Sequence, residues 1–493
     1  MTEQDPLVTN IYTKVSQRAQ YKPPEASHVV DRKVALLQPT ISGNYKYNGI
    51  KYIRFVLPAQ DFLDTQRSYF SFNIQTSPAL PAVNTPAVGT TENNNTGLHA
   101  FRKGAYMQNY TDSSVFFKRV RILLNSTQIE EIDDYNILQS MFTRYVNDPA
   151  MYDSELGRAQ GMVPGEFFSF NPSVPSITQC ISRELADPDI TSSMVFHPSL
   201  LGFMSTHQYI PLQFMGEITI ELALEDPTVA LRTPTQIAGS TNIQDKLDYT
   251  ISNITYHAEV CRMSITYLSA FEESLAAGAV MLWFSTFQSY TSNIAPSSLA
   301  DITINHRGRN LKTLMAIFRT ETQLSTQTSN KFQFSRNGIT DYQVRLGTKL
   351  FPDDMVHVGD AATSAVWYAE TAKALGFWMN PYHTTCIPNK YANKVAEQNW
   401  RLYLKGINNN DNRASEIWPD VVDLFDSPDN NFMICTDFEK EPELMSGEDT
   451  ASAGVPIYLR IKGTWNTSLQ AKVFIHQDIV LMLKNTREIV IQT

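Results

Sequence analysis

The 493-residue sequence predicts an all-β protein made of two tandem β-sandwich or jelly-roll units, and three observations carry that prediction. Short segments with a two-residue apolar period recur along the chain. Pro, Gly, Asn and Asp punctuate them, and the length exceeds what one ordinary core serves. The run Gly216 to Glu225 sets the pattern, with Ile218, Ile220, Leu222 and Leu224 on one face and Glu217, Thr219, Glu221 and Ala223 on the other. Pro227, Pro234 and the polar stretch Gly239 to Asn242 follow, and a second strand-like run opens at Tyr249. The organisation expected is therefore an extended arm over residues 1–44, a first unit over 45–226, a linker over 227–246 and a second unit over 247–493.

The arm carries five basic residues (Lys14, Arg18, Lys22, Arg32, Lys33) against four acidic ones (Glu3, Asp5, Glu25, Asp31) and no sustained period. In the first unit, Lys51 to Leu57 alternates Ile53, Phe55 and Leu57 against Tyr52, Arg54 and Val56, and Arg67 to Gln75 sets Phe70, Phe72 and Ile74 against Tyr69 and Ser71. A Pro/Thr/Asn-rich loop spans 77–97. Val115 to Leu124 is the next strand, with a turn at Asn125-Ser126. Tyr135 to Phe142 then has helical spacing, and Asp133 and Asp134 at its start suit the helix dipole. Six prolines between Asn147 and Leu200 exclude a long helix or central strand there. The span reads as a long excursion.

In the second unit, Tyr249 and Ile251 alternate in one phase and Ile254, Tyr256, Ala258 and Val260 in the other, so a β-bulge is expected near Ser252-Asn253. A helical piece at Phe271 to Ala277 precedes strands at Val280 to Tyr290, Leu311 to Thr320 and Asp341 to Gly347. A second excursion covers 353–395, with a short helix at Ala361 to Leu375. Strands return at Trp400 to Lys405, Val455 to Lys462 and Lys472 to Lys484.

Composition narrows the function. Net charge is −10 and charged residues are 18%, without the basic footprint of a protein that grips nucleic acid. Low charge on so large a chain fits a surface partly covered by other subunits and equally a polar, Asn/Thr/Ser-rich surface. Cys180, Cys261, Cys386 and Cys435 form no C-x-x-C motif and read as free thiols in a reducing compartment. The N-terminus lacks the features of a secretory signal and no apolar run reaches membrane-spanning length, so a protein that is cytosolic or nuclear when made is expected.

No phosphate-cradling, dinucleotide-binding, nucleophile-elbow or H-E-x-x-H motif occurs. His257 and His476 lie in strands and read as structural histidines. Asp353-Asp354 reads as a solvated turn, and Asn408 to Asn412 lacks the spacing of a calcium loop. Ser446 to Thr450 reads as a polar loop or a subunit contact. No residue is assigned a catalytic, cofactor-binding or metal-ligating role, and no cofactor is expected. The enzymatic or carbohydrate-binding alternative is a tandem β-sandwich lectin or glycoside hydrolase, because a pair of carboxylates can come from anywhere in the chain.

Several stretches together resemble the double-jelly-roll major capsid proteins, nearest to those of polinton-like viruses and virophage-like relatives. They are Tyr209 to Leu224 with Tyr249 to Glu259, Gln128 to Leu138, Phe284 to Tyr290, Asn310 to Leu314, Tyr342 to Gly347 with Phe351-Pro352, Asp437 to Lys440 with Ser446-Gly447, and Asp478 to Leu481. The resemblance covers residues 45 to 490. It implies two eight-stranded jelly rolls and a structural, non-enzymatic role. Homotrimeric, pseudo-hexameric capsomers would tile an icosahedral shell around double-stranded DNA without sequence-specific binding. Neighbouring capsomers, minor capsid proteins and penton proteins would be the partners, and contact with an internal membrane is left open. The virion capsid would be the location, assembled in host cytoplasm or nucleus, with the excursions as outer towers and the arm on the inner side.

Overall fold

A computed structural model describes residues 27–77, 106–107, 111–146, 155–161, 192–232, 248–325, 331–332, 334–358, 365–376, 432–441, 445–451, 456–484 and 489–492. The first unit contributes β1 (Val29–Leu37), β2 (Tyr52–Leu57), β3 (Phe62–Ser77), β4 (Phe117–Leu124), β5 (Thr127–Asp133), β6 (Ser192–Phe196), β7 (Ile218–Leu224) and β8 (Asp248–Met263). The second contributes β9 (Ala279–Ile294), β10 (Ser297–Ile304), β11 (Leu311–Thr320), β12 (Ile339–Leu346), β13 (Lys349–His357), β14 (Ile434–Asp437), β15 (Ile457–Trp465) and β16 (Leu469–Lys484), with a short β17 (Ile489–Gln492) along β16. Tyr106–Met107 and Leu231–Arg232 form a separate two-residue pairing.

The four antiparallel sheets run β1-β8-β3-β6, β2-β7-β4-β5, β9-β16-β11-β14 and β10-β15-β12-β13. Adding eight to each strand of the first pair of sheets gives the second pair. The chain is thus two eight-stranded jelly rolls of the same winding. Antiparallel pairing brings the ends of β1, β3, β5 and β7 to one end of the first barrel, together with the starts of β2, β4, β6 and β8. The long connections β3–β4 and β5–β6 therefore leave from a single end, as do β11–β12 and β13–β14 in the second barrel.

Alternation built these sheets as the sequence predicts. Ile53, Phe55 and Leu57 of β2 and Ile218, Ile220, Leu222 and Leu224 of β7 are all buried. They meet an aromatic set from the facing sheet in which Phe70 lies 5.2 Å from Phe55 and 4.5 Å from Tyr256, centroid to centroid. The second barrel fills with Ile302, Leu314, Phe318, Tyr342, Val344, Leu459 and Val473.

The expectation that Tyr249–Val260 opens the second unit does not hold. This strand is β8, hydrogen-bonded on one side to β1 and on the other to β3. A jelly roll's eighth strand returns to lie between its first and third, so the polar stretch before it is a loop within the first barrel. The Tyr249 hydroxyl fixes the return by donating to the Glu225 carbonyl at 2.6 Å, with the Phe116 carbonyl at 3.3 Å. The bulge falls where the alternation slips, between Ser252 and Thr255, with Asn253 at φ 51°.

The barrels are joined through α3 (Ile265–Ala277), which follows α1 (Tyr135–Val146) and α2 (Gly202–Ser205) in the chain and precedes α4 (Ala365–Ala374). Ser264 caps α3 by accepting from the Tyr267 amide at 3.3 Å. Tyr267 and Phe271 of α3 meet Phe62 edge-on, each 5.7 Å away, closing the base of the first barrel.

The arm is also shorter than expected. Residues 29–37 are β1, paired with β8, and Tyr45 is buried against Ile251; residues 1–26 lie outside the described residues. β6, β13 and β14 occur where excursions or no strand were expected. β6 and β14 are short sheet edges. β13 tolerates Pro352 because it pairs only with β12, so the missing N–H falls on an edge strand. Most of the 77–97 loop, Trp400 to Lys405 and Asn408 to Asn412 lie outside the described residues.

Tyr249→Phe tests the place of β8. It removes the donor to a buried carbonyl and is expected to cost about 1–3 kcal/mol in urea unfolding. Faster amide exchange should appear in β4 and β7 and spare the second barrel.

Candidate functional site

The titratable groups noted in the sequence are built into the sheets. His257 lies flat against Tyr69, centroids 4.5 Å apart, and contacts the Ser71 hydroxyl at 2.8 Å. His476 lies flat against Phe287 at the same 4.5 Å, and burial followed by the nearby Lys312 ammonium drives its pKa down to about 3, so the ring is neutral. Cys261 and Cys435 are buried free thiols; Cys180 and Cys386 lie outside the described residues. Asp353 and Asp354 are exposed on β13. In the Ser446 to Thr450 stretch, Glu448 bridges to Leu311 and pairs with Lys349 at 2.8 Å, while Thr450 donates to Gly308 at 2.9 Å. That stretch is an intramolecular tie of the second barrel.

The most developed polar and apolar geometry lies between the barrels. Sheet β9-β16-β11-β14 has one face in the core of its own barrel, and the other turns to the first barrel with Met315, Ile317, Cys435 and Phe474. From the first barrel, Phe142 of α1 meets Phe287 edge-on at 5.6 Å and Phe203 of α2 meets Phe284 edge-on at 6.0 Å. Gly202 permits the closest approach, because a Cβ there would sit 1.9 Å from the Ser285 carbonyl oxygen. α2 thereby covers the free edge of β9, and the Gln208 side chain accepts from the Trp283 amide at 3.4 Å.

Two buried acids complete the seam. Asp134 was expected to serve the helix dipole. Its backbone carbonyl does accept from Ile137 and Leu138 at the start of α1, but its carboxylate crosses the seam to the Lys472 ammonium, which also reaches the Thr291 hydroxyl at 2.7 Å. Glu130 of β5 accepts from the Gly202 amide at 2.8 Å and the Phe203 amide at 3.0 Å. Burial outweighs these bonds and raises its pKa to about 7. Local sequence carries no signal for either role, since each partner lies far along the chain. Asp134 sits at the upper end of β5 and Gly202 in a lower connection, so contacts at both levels stand the barrels side by side and parallel. A crevice of about 460 Å³ opens beside the seam between Phe142, Gln208, Trp283, Lys312, Thr313 and His476.

Outward faces differ from this. Glu221, expected on the wet face of β7, is 1% exposed because Arg54 and Arg121 each reach it at 2.6 Å and Arg119 at 3.5 Å. On the second barrel, Arg460 pairs with Asp301 through two bonds of 2.8 and 3.0 Å.

Solved structures share this architecture over their whole length. The chain covers 100% of itself and 92% of a chain in the cryo-electron-microscopy structure of the Sputnik virophage, with a TM-score of 0.55 at 9% identity. Against the mavirus major capsid protein the TM-score is 0.51 at 10% identity, covering 100% of this chain and 95% of that one. Against the Faustovirus major capsid protein it is 0.52 at 11% identity, covering 97% and 94%. This chain has the double-jelly-roll fold of viral major capsid proteins. No family model and no curated protein sequence matches it. The double jelly roll is thus carried by topology, at identities where individual side chains do not align.

Two predictions test the seam. Lys472→Met strands the Asp134 carboxylate and is expected to cost about 3 kcal/mol or more in chemical denaturation. Glu130 has a folded pKa of about 7 against 4.5 in the open chain. A raised carboxyl pKa gives stability that is full below pH 4.5 and lost as pH climbs through 7, by about 3 kcal/mol. Urea midpoints of wild type and Glu130→Gln at pH 4.5 and pH 8 check this: wild type should lose stability relative to the variant at the higher pH.

Proposed function

We propose that this chain is the major capsid protein of a virus with a double-stranded DNA genome. Three copies would form a pseudo-hexagonal capsomer, and capsomers would tile an icosahedral shell. One observation carries the reading: two jelly rolls of identical winding are held parallel by a buried seam, in the fold shared along its full length with viral major capsid proteins. Three such pairs supply six similar barrels around an axis. The side chains described above serve packing and docking, so the role is structural and not catalytic.

On this reading the first barrel runs from β1 to Met263, α3 is the link, and the second barrel begins at β9. The long connections leave from one end, which is the outward-facing end on this reading; most of their length, where the towers were expected, lies outside the described residues. Neighbouring capsomers, minor capsid proteins and penton proteins are the partners, and the shell encloses its DNA without reading its sequence, in keeping with the net charge of −10. The virion is the location, after synthesis in the host cell.

Size-exclusion chromatography with light scattering should give three times the chain mass, and negative-stain images should show hexagonal capsomers. A stable monomer at micromolar concentration overturns the proposal.

A further inference from the structure

Inside the seam, Lys472 of β16 and Asp134, between β5 and α1, bring together the two halves of an amide, a primary amine and a carboxyl. They belong to different barrels and lie 338 positions apart in the chain. Their side chains are only 11% and 12% exposed. The Thr291 hydroxyl of β9 accepts from the same ammonium at 2.7 Å, so the Lys472 nitrogen is held between two oxygens. A hydrogen-bonded ammonium and carboxylate already stand at roughly the 3–3.5 Å that a near-attack geometry requires of reacting atoms.

The surroundings favour the neutral forms of both groups. Burial penalises an ion pair more than an uncharged amine beside an uncharged acid. Two further buried groups fix the local charge. Glu225, just after β7, is 4% exposed and accepts from the Asn136 side-chain amide at 2.9 Å; burial raises its pKa, and the nearby Asp134 adds to the rise. Arg319 of β11 is 3% exposed and donates to the Lys331 carbonyl at 3.1 Å and the Gln470 side chain at 2.9 Å. Burial lowers its pKa to about 10, against the pull of Asp134 and Glu225, so it stays a cation. Arg319 and Glu225 balance each other. A proton passing from Lys472 to Asp134 therefore leaves no uncompensated charge in the seam.

We infer that Lys472 and Asp134 condense into an isopeptide bond, a covalent staple between the two barrels of each chain. Once the proton has passed to Asp134, the amine lone pair attacks the carboxyl carbon and forms the C–N bond. The amine's proton moves to the Thr291 hydroxyl, which gives its own to the departing oxygen. The C–O bond breaks with its electron pair, one water leaves, and the amide keeps one N–H. No oxidant, reductant or activated group is consumed. Fixed geometry supplies effective molarities on the order of 10⁵–10⁸ M, and the dry seam expels the water formed, so condensation wins over hydrolysis. Thr291 touches the reacting nitrogen, whereas Glu225 and Arg319 are positioning residues that set the charge. The staple lies within one chain and so stands apart from the capsid reading.

The test weighs the full-length chain, denatured and reduced, by intact-mass spectrometry and maps it by proteolysis. Wild type should be lighter than its sequence by one water and should yield a branched peptide joining the segments around Asp134 and Lys472. Lys472→Arg keeps a cation facing Asp134 but offers no amine to acylate, so it should show the full sequence mass. Thr291→Val, with an unchanged circular dichroism spectrum, should form the branched peptide more slowly, on the order of a hundredfold, when freshly made protein is followed over time. A wild type at its full sequence mass overturns the inference, whether or not the variants fold. So does a chain lighter by one water without that branched peptide, as a succinimide would give. Either result leaves the capsid reading in place.

Discussion

One sheet of this molecule has central strands buried on both faces, and the arrangement of both barrels depends on it. Sheet β9-β16-β11-β14 packs one side against β10-β15-β12-β13 and the other against the first barrel. Its central strands have no wet side and cannot alternate as β2 or β12 do, while the edge strand β9 keeps Met281 and Trp283 exposed. β11 is buried at eight of its ten positions and β16 at eleven of its sixteen, whereas β2 is buried at every second position. Burying a large apolar side chain contributes roughly 1.5–3 kcal/mol, so the additional face represents a strong preference for docked over separated barrels.

That dry contact makes its polar groups consequential. A charge placed there must find a partner, and Lys472 and Asp134 come from different barrels to supply each other. Such a pair adds little net stability against an apolar replacement, but it penalises any docking that leaves either group alone. Glu130 works by a different route, accepting from two backbone amides of α2, and burial outweighs those bonds to raise its pKa to about 7. Both acids set the register of docking, while the aromatic contacts of Phe142 and Phe203 provide its area. Gly202 sets its distance, since any side chain there meets the β9 backbone.

Much of the fold was legible because alternation is a local property. The dry face of β7, the alternation of β2 and the slip at Ser252-Asn253 could all be read from adjacent residues. The apolar strand Leu311 to Thr320 was legible as a strand, though its meaning, burial on both sides, was not. What escaped was non-local. Which barrel β8 joins depends on pairing with β1 and β3, residues some 170 to 235 positions away, and the polar loop before it resembles a domain linker in composition. The short edges β6 and β14 offer too few residues for a period, and Pro352 disguises β13. At the seam, Glu130 and Asp134 look like ordinary acids beside a helix. Their burial is a property of the partner surface.

The two stacked histidines show how one winding serves two environments. At His476 the neighbouring position is Phe287, and desolvation in the seam, with the Lys312 ammonium nearby, keeps the ring neutral. At His257 the neighbours are Leu36, Tyr69 and the hydroxyl of Ser71, and the stack faces outward. The outward face mixes Val34, Leu36 and Tyr69 with Ser71, Asn73 and Thr255, and the seam face mixes Phe287, Met315 and Phe474 with Thr313 and Lys472. In the seam the polar members find partners on the other barrel, as Lys472 does in Asp134, whereas on the outward face they meet one another within the sheet.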